Sequence, residues 1–419
     1  MRKAGAVMEM IKGTSRKVNI ELLRIVCMLE ITALHYLYGN DAILLTTNDV
    51  TALRVVGSVI ESLCVPSVAC YVLISGYCDR STEFKPWRIL RVVAEVWFWS
   101  VVLHLVCAAA GLVPLAESVW DLAAYVLPIM MGHYWFASAF IVMEFFAPLL
   151  NAAAEHVDRK TLKYVLIALL IYESVIKTIL PFQLNQDEMG YDFGFFLMMF
   201  LIGVWLRKYG VPRILQAQET VIPAGGSRKE HRAYIELSGN RQGTGGAQND
   251  ADVHVRGEGS SPSRRYVSVK RALAGYFASC AVIAIVQIAA SVLHARTGSF
   301  SWLMSAPFHY NYLFAVSASV CLFLMFTQLE VPEGGAASWI RRLAPLTFGV
   351  YLIQCHSDLL GYWPEWFASL AGKSAQTSNP VGFFLWMLAA VCMVYVVCSV
   401  MDALRKALFD GVVSFVKRK

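Results

Sequence analysis

Apolar residues gather in ten runs, each close to the roughly 20 residues that a helix needs to cross a bilayer. The runs lie near 18–38, 52–77, 89–113, 121–151, 162–180, 191–208, 270–296, 306–329, 338–361 and 379–403. None shows a sustained two-residue alternation, and a membrane requires every backbone polar group to be satisfied internally. The pattern therefore predicts an all-α, polytopic membrane protein of about ten transmembrane helices. The fourth run is too long for one straight span and holds Pro128 and Gly132 just before His133-Tyr134-Trp135-Phe136. A break is expected there. An interfacial or re-entrant piece would come first, and the span proper would run from about His133 to Asn151.

Residues 209–269 change character. Segments such as Gly239-Asn240-Arg241-Gln242-Gly243-Thr244-Gly245-Gly246 cannot build a core and read as a flexible basic loop. No phosphate-binding Gly-Lys-Ser/Thr occurs in it, which argues against a nucleotide domain. The expected layout is a basic tail at 1–17, a transmembrane domain at 18–403 interrupted by the 209–269 loop, and a second basic tail at 404–419. Because the first run carries Glu21, Arg24, Glu30 and His35 and lacks a small-x-small cleavage site, it reads as a retained span rather than a signal peptide.

Composition supports this reading. Of the 419 residues, 57% are hydrophobic and 16% charged, against about 25% charged in soluble domains. A soluble enzyme of this length would need far more surface charge. The ten cysteines include no CxxC pair and read as small core hydrophobes. No His/Asp/Glu/Cys cluster has metal-ligand spacing, so no metal is expected, and no Gly-x-Ser-x-Gly nucleophile elbow occurs.

The net charge of +6 has a location. Lys and Arg number five up to Lys17, four in Arg80–Arg91, three in Arg159–Lys163, twelve in Arg207–Arg271, two at Arg341 and Arg342, and five in Arg405–Lys419, which is 31 of the 36. Ten spans would put all six segments on one side, and the positive-inside rule makes that side the cytoplasm, with both termini. The basic balance then requires no nucleic-acid partner.

Ionisable residues at membrane depth are costly and mark candidate functional sites. Arg24 and His35 are 11 residues apart, which brings them within about 20° of one helix face with a rise of about 16 Å. Arg24 would lie toward the cytoplasmic end and His35 deeper. Glu30 is turned by about 120° from Arg24 and about 140° from His35, toward another neighbour. This stripe suits acyl transfer from a charged cytoplasmic donor: Arg24 can hold a phosphate or polarise a carbonyl, and a neutral His35 can take the proton of an attacking hydroxyl. Headgroup snorkelling by Arg24 and a helix–helix hydrogen bond from His35 are the structural alternatives. Arg88 and Arg91, three apart at the start of the third run, can fork a phosphate or simply anchor the helix. His133 and Trp135 can line a cavity or belong to an interfacial aromatic belt, and Gln354 and His356 are weaker candidates.

Asn19-Ile20-Glu21-Leu22-Leu23-Arg24-Ile25-Val26, continuing to Leu34-His35-Tyr36, resembles the first span of the integral-membrane acyltransferase-three family, marked by an Arg, ten residues and a His. Ser75-Gly76-Tyr77 with Arg88-Ile89-Leu90-Arg91 is similar to that family's Ser-Gly-aromatic turn and Arg-x-x-Arg element. His133-Tyr134-Trp135-Phe136, Ala147-Pro148-Leu149-Leu150 and Phe348-Gly349-Val350-Tyr351-Leu352-Ile353 resemble its later segments. The resemblance implies a polysaccharide O-acetyltransferase-like enzyme of the cell membrane, a bacterial inner membrane by family habit. Its donor would be cytoplasmic acyl-coenzyme A, acetyl-CoA by the same habit, and its acceptor a hydroxyl of an extracytoplasmic or lipid-linked carbohydrate. By the resemblance His35 is catalytic, Arg24 its companion and a donor contact with Arg88 and Arg91, while Glu30, Ser75, His133, Trp135 and Tyr351 are candidate cavity lining. Glu30 and Gln354 depart from the family pattern. The rival readings are a transporter of a proton-coupled or anionic solute that uses Arg24, Glu30 and His35, and a membrane sensor that binds a ligand through its basic loop.

Overall fold

A computed structural model of the chain describes residues 17–39, 50–116, 118–180, 182, 184, 187–210, 216–219, 264–371 and 379–418. Contacts divide the chain into two units, 211–268 and the residues on either side of it. The flanking unit is helical. In chain order it contains α1 (Val18–Gly39), α2 (Ala52–Cys64), α3 (Pro66–Cys78), α4 (Pro86–Ala109), α5 (Val119–Val126), α6 (Trp135–His156), α7 (Arg159–Leu170), α8 (Ile176–Ile179) and α9 (Phe193–Tyr209). After the smaller unit come α10 (Val269–Thr297), α11 (Ser301–Ser305), α12 (Leu313–Thr327), α13 (Gly335–Leu343), α14 (Thr347–Gln354), α15 (Ser357–Leu360), α16 (Tyr362–Ala371) and α17 (Pro380–Arg418).

Among the described residues, six helical stretches are long and apolar enough to cross a membrane: Ala52–Cys78, Pro86–Ala109, Trp135–His156, Val269–Thr297, Ser301–Thr327 and Pro380–Gly411. The 22-residue α1 is not among them, and it carries Glu21, Arg24, Glu30 and His35. The fold shields this helix, because α2, α3, α12, α13, α14, α16 and α17 all pack on it. Leu23, Cys27 and Tyr36 on α1 are fully buried. A helix that would be costly against lipid is thus enclosed by protein.

The most intimate crossing in the bundle joins α3 and α9. A methyl group on Gly76 would collide with the Phe200 carbonyl, and one on Gly203 with that of Leu73. Two small residues let the backbones meet, as in other membrane helix pairs. This explains the Ser75-Gly76 turn as packing. Ser75 Oγ bonds only within its helix, to the Tyr71 carbonyl at 3.2 Å.

The break expected in the fourth run is present. Gly132 has φ +69°, which glycine adopts without strain, and α6 begins at Trp135. The preceding α5 is capped by Ser118 and Asp121 and leaves Val119 and Trp120 more than three-quarters exposed, as suits a short interfacial helix.

Two expectations need correction. The ninth run, 338–361, is not one helix: a 3-10 turn at Ala344–Leu346, where Pro345 cannot donate, separates α13 from α14, and α14 ends at Gln354. α17 runs on into the 404–419 tail, through Ala403-Leu404-Arg405-Lys406-Ala407-Leu408, good helix formers, to Arg418. The loop at 209–269 contains strand as well. Within the smaller unit, β1 (Gln216–Glu219) pairs antiparallel with β2 (Arg264–Val267), Gln216 opposite Val267 and Glu219 opposite Arg264. The all-α expectation is amended by that ribbon. The rest of the loop, the tail before Lys17 and Lys373 lie outside the described residues.

Candidate active site

On α1, Arg24, Met28, Ile31 and His35 follow at steps of four, three and four residues, which lays them along one stripe. Met28, Ile31 and His35 border a small cavity of about 40 Å³. Tyr71 from α3, Trp135 and Phe136 from the first turn of α6, Tyr310 ahead of α12, and Tyr351 from α14 build the rest of its wall. Trp135 stacks on Tyr310 with ring centres 5.6 Å apart, and Tyr191 packs 4.3 Å from Trp135, so this part of the wall is aromatic. Trp135 and Tyr351 thus line this cavity, and Glu30, Ser75 and His133 do not.

His35 is placed by the end of α14. Cys355 Sγ lies 3.4 Å from Nε2 and 3.6 Å from Nδ1. Near equality of the two distances puts the sulfur over the ring rather than along either nitrogen's lone pair. The Gln354 side chain is a second neighbour of the imidazole. The ninth run thus contributes to the site through Tyr351, Gln354 and Cys355, two of which sequence reasoning did not connect with His35.

Arg24 sits one turn before Met28, outside the cavity wall. Its guanidinium is 3.8 Å from Glu21, and its backbone carbonyl accepts a 2.6 Å hydrogen bond from Tyr71. Tyr71 therefore ties the Arg24 end of the stripe to the cavity. Glu30 lies off the stripe, toward Cys64 of α2 and Tyr276 and Cys280 of α10, with one carboxylate oxygen unpartnered.

The two donor-side arginines differ. Arg88 is held at 2.7 Å by Asp79 and at 3.4 Å by Glu144, so a phosphate would compete with two carboxylates. Arg91 is exposed one turn further along α4. Nearby, Arg207 donates to the Gly76 and Asp79 carbonyls and at 2.9 Å to Asn151 Oδ1, which fixes the α3 terminus against α6 and α9.

His133 falls in a separate cluster. Its Nε2 is 3.0 Å from Ser357 Oγ, and its ring meets Tyr125 and His356 at 5.3 and 5.0 Å. Asp358 accepts from Tyr125 at 2.6 Å and pairs with His104 Nδ1 at 2.8 Å. The Ala116 amide donates to His104 Nε2, which assigns the ring proton to Nδ1. His356 is equally occupied, between the Ser100 carbonyl and the Asp358 amide. These histidines hold α4, α5 and α15 together. Asp358 and Tyr125, the acceptor and donor at the centre, were not singled out from sequence, where only the neighbouring His356 gave a signal. In the connection between α8 and α9, Asp187 is buried against Lys177 and Asn311, and Tyr191 joins the aromatic wall.

A family model described as an acyltransferase domain matches residues 17–403. No curated protein and no solved structure matches the chain. The matched span takes in the Arg24–His35 stripe, every side chain of the aromatic cavity and the helices that enclose them, and on that match the chain belongs to the acyltransferase-3 family.

Proposed function

We propose that this membrane protein transfers an acyl group, acetyl by family habit, from cytoplasmic acyl-coenzyme A to a carbohydrate hydroxyl on the opposite side, with His35 as general base. The observation that carries the reading is a histidine on the wall of an aromatic cavity, on the same stripe as Arg24 and in a helix that seven others pack on. A general base must reach the hydroxyl it deprotonates, and the cavity wall is where such a group can approach His35. Trp135, Tyr191 and Tyr310 offer aromatic faces to the apolar side of a sugar ring. Arg24 and Arg91 supply positive charge for the donor's phosphates, with Arg88 shared between that task and Asp79 and Glu144.

In this reading the chain crosses a cell membrane ten times, with α1, the α7–α8 pair, α9 and the α13–α14 pair added to the six long apolar stretches, and with both termini and the 211–268 unit cytoplasmic. The Lys and Arg distribution supports that sidedness. In intact cells, single cysteines placed in the 211–268 unit of a cysteine-depleted chain should resist impermeant maleimides until the membrane is opened. Labelling without permeabilisation would reverse the topology.

The transporter reading is not favoured, since Glu30 faces away from the stripe that holds Arg24 and His35 and so breaks the ionisable path such a protein would use. Proteoliposomes given labelled acetyl-coenzyme A on the loop side and an oligosaccharide acceptor on the other test the function directly. Covalent label on the acceptor is the expected result. Substituting Arg88→Ala together with Arg91→Ala should raise KM for the donor and leave KM for the acceptor unchanged. Movement of intact donor or acceptor without covalent transfer would refute the enzyme.

A further inference from the structure

The His35 cavity contains a second kind of hydrogen-bonding group that the acid–base reading leaves unused. Tyr351 borders the cavity, is 5% exposed, and among the described residues its hydroxyl proton has no hydrogen-bond partner. A buried phenol normally finds one, because an unmade hydrogen bond leaves a desolvation cost standing. Its ring meets that of Phe136 at 5.7 Å, edge to face, which turns α14 toward the start of α6.

That start is uncapped. The first helical bond of α6 runs from the Ser138 amide to the Tyr134 carbonyl at 3.0 Å, and Tyr134 provides no side-chain cap. The Phe136 amide precedes that bond, has no acceptor inside the helix, and faces the Tyr351 oxygen. This contact takes up the acceptor side of the phenol and leaves its proton for a group in the small space that His35 also borders. An oxygen bearing negative charge is the partner such a donor holds most strongly.

We propose that the Tyr351 hydroxyl, held by the Phe136 amide, is the oxyanion-hole donor for the acyl carbonyl of the thioester. This rests on the acyl-transfer reading and adds to it the group that stabilises the intermediate. The acceptor oxygen bonds to the carbonyl carbon as His35 takes the hydroxyl proton. The carbonyl π pair moves onto oxygen, where the Tyr351 hydroxyl receives it. The C–O double bond then re-forms, the C–S bond breaks, and the thiolate of coenzyme A leaves with the proton that His35 returns. No group outside the donor and the acceptor is consumed. Tyr351 is on this account a catalytic residue, since it touches the reacting oxygen. The hydroxyl proton then has its acceptor in the substrate's own charge.

Tyr351→Phe keeps the ring and removes the donor, so packing is retained. In the proteoliposome assay kcat should fall by about a hundred- to a thousand-fold, the loss typical of one oxyanion-hole donor. KM for acyl-coenzyme A and the melting temperature should stay as in the wild type. As a second readout, wild-type protein should bind the donor analogue with a ketone in place of the thioester more tightly than the analogue lacking the carbonyl oxygen, and Tyr351→Phe should level the two. A Phe variant with kcat within three-fold of wild type overturns the oxyanion hole while leaving acyl transfer intact. So does a loss of rate matched by a loss of thermal stability. Absence of transfer by the wild type would remove both the function and this inference.

Discussion

His35→Ala is expected to lower acyl transfer by about a hundred- to ten-thousand-fold, the usual contribution of a positioned general base. The side chain lies on the cavity wall, so its removal enlarges a space that is already there rather than opening a new void in a packed core. The melting temperature should therefore change little. Donor binding should persist, because Arg24 and the α4 arginines are untouched. Single-turnover transfer from labelled acetyl-coenzyme A, measured beside a thermal melt, separates the two effects. A variant that keeps wild-type turnover sinks the assignment. The same preparation reports on a covalent relay, since incubation without acceptor would leave label on His35 of the wild type if an acyl-histidine forms.

Arg405→Ala is expected to produce the largest loss of stability. Arg405 Nε is 2.7 Å from Asp402 Oδ1, and Nη2 reaches Asp402 Oδ2 at 3.1 Å and Glu95 at 2.9 Å. Asp402 is fully buried, also accepts from Trp99 at 3.0 Å, and rests against Gly349, where any side chain would strike the carboxylate. Removing the arginine leaves one completely buried carboxylate and one largely buried one without their cation. Breaking a buried pair in this way costs about 3–5 kcal/mol. The melting temperature followed by size-exclusion fluorescence should drop well below that of the wild type. Arg405→Ala combined with Asp402→Asn and Glu95→Gln should recover part of the loss, because no unpaired charge then remains. An unshifted melt for the single variant would show that water or lipid headgroups reach this cluster.

Much of this was legible in the residue pattern, for identifiable reasons. Runs of about 20 apolar residues mark membrane helices because lipid admits few other structures, and Pro128 with Gly132 marked the break before α6. The angle between residues 11 apart put Arg24 and His35 on one stripe, since α1 is regular throughout. Contacts between distant segments were harder to read. Nothing local to Gln354 or Cys355 says that α14 ends against His35, and nothing at Arg88 shows that Asp79 and Glu144 occupy it. Asp402 and Arg405 are three residues apart on α17, but Glu95 lies in a distant run, and only the fold brings it to that pair. The 338–361 run was misread because hydropathy reports how much apolar surface a segment has, while Pro345 and the turn at Cys355 decide whether it is one rod.

The encirclement of α1 has a consequence for how the protein is made. His35 meets Cys355, which follows it by 320 residues. At synthesis rates of about 5–20 residues per second, that separation corresponds to roughly 15–65 s. Through that interval α1 holds Glu21, Arg24 and Glu30 without the C-terminal helices that later screen them. Biogenesis of this enzyme should therefore depend on whatever shelters nascent membrane helices, and truncations that end before α14 should be cleared by quality-control proteases even though most of the bundle has been translated.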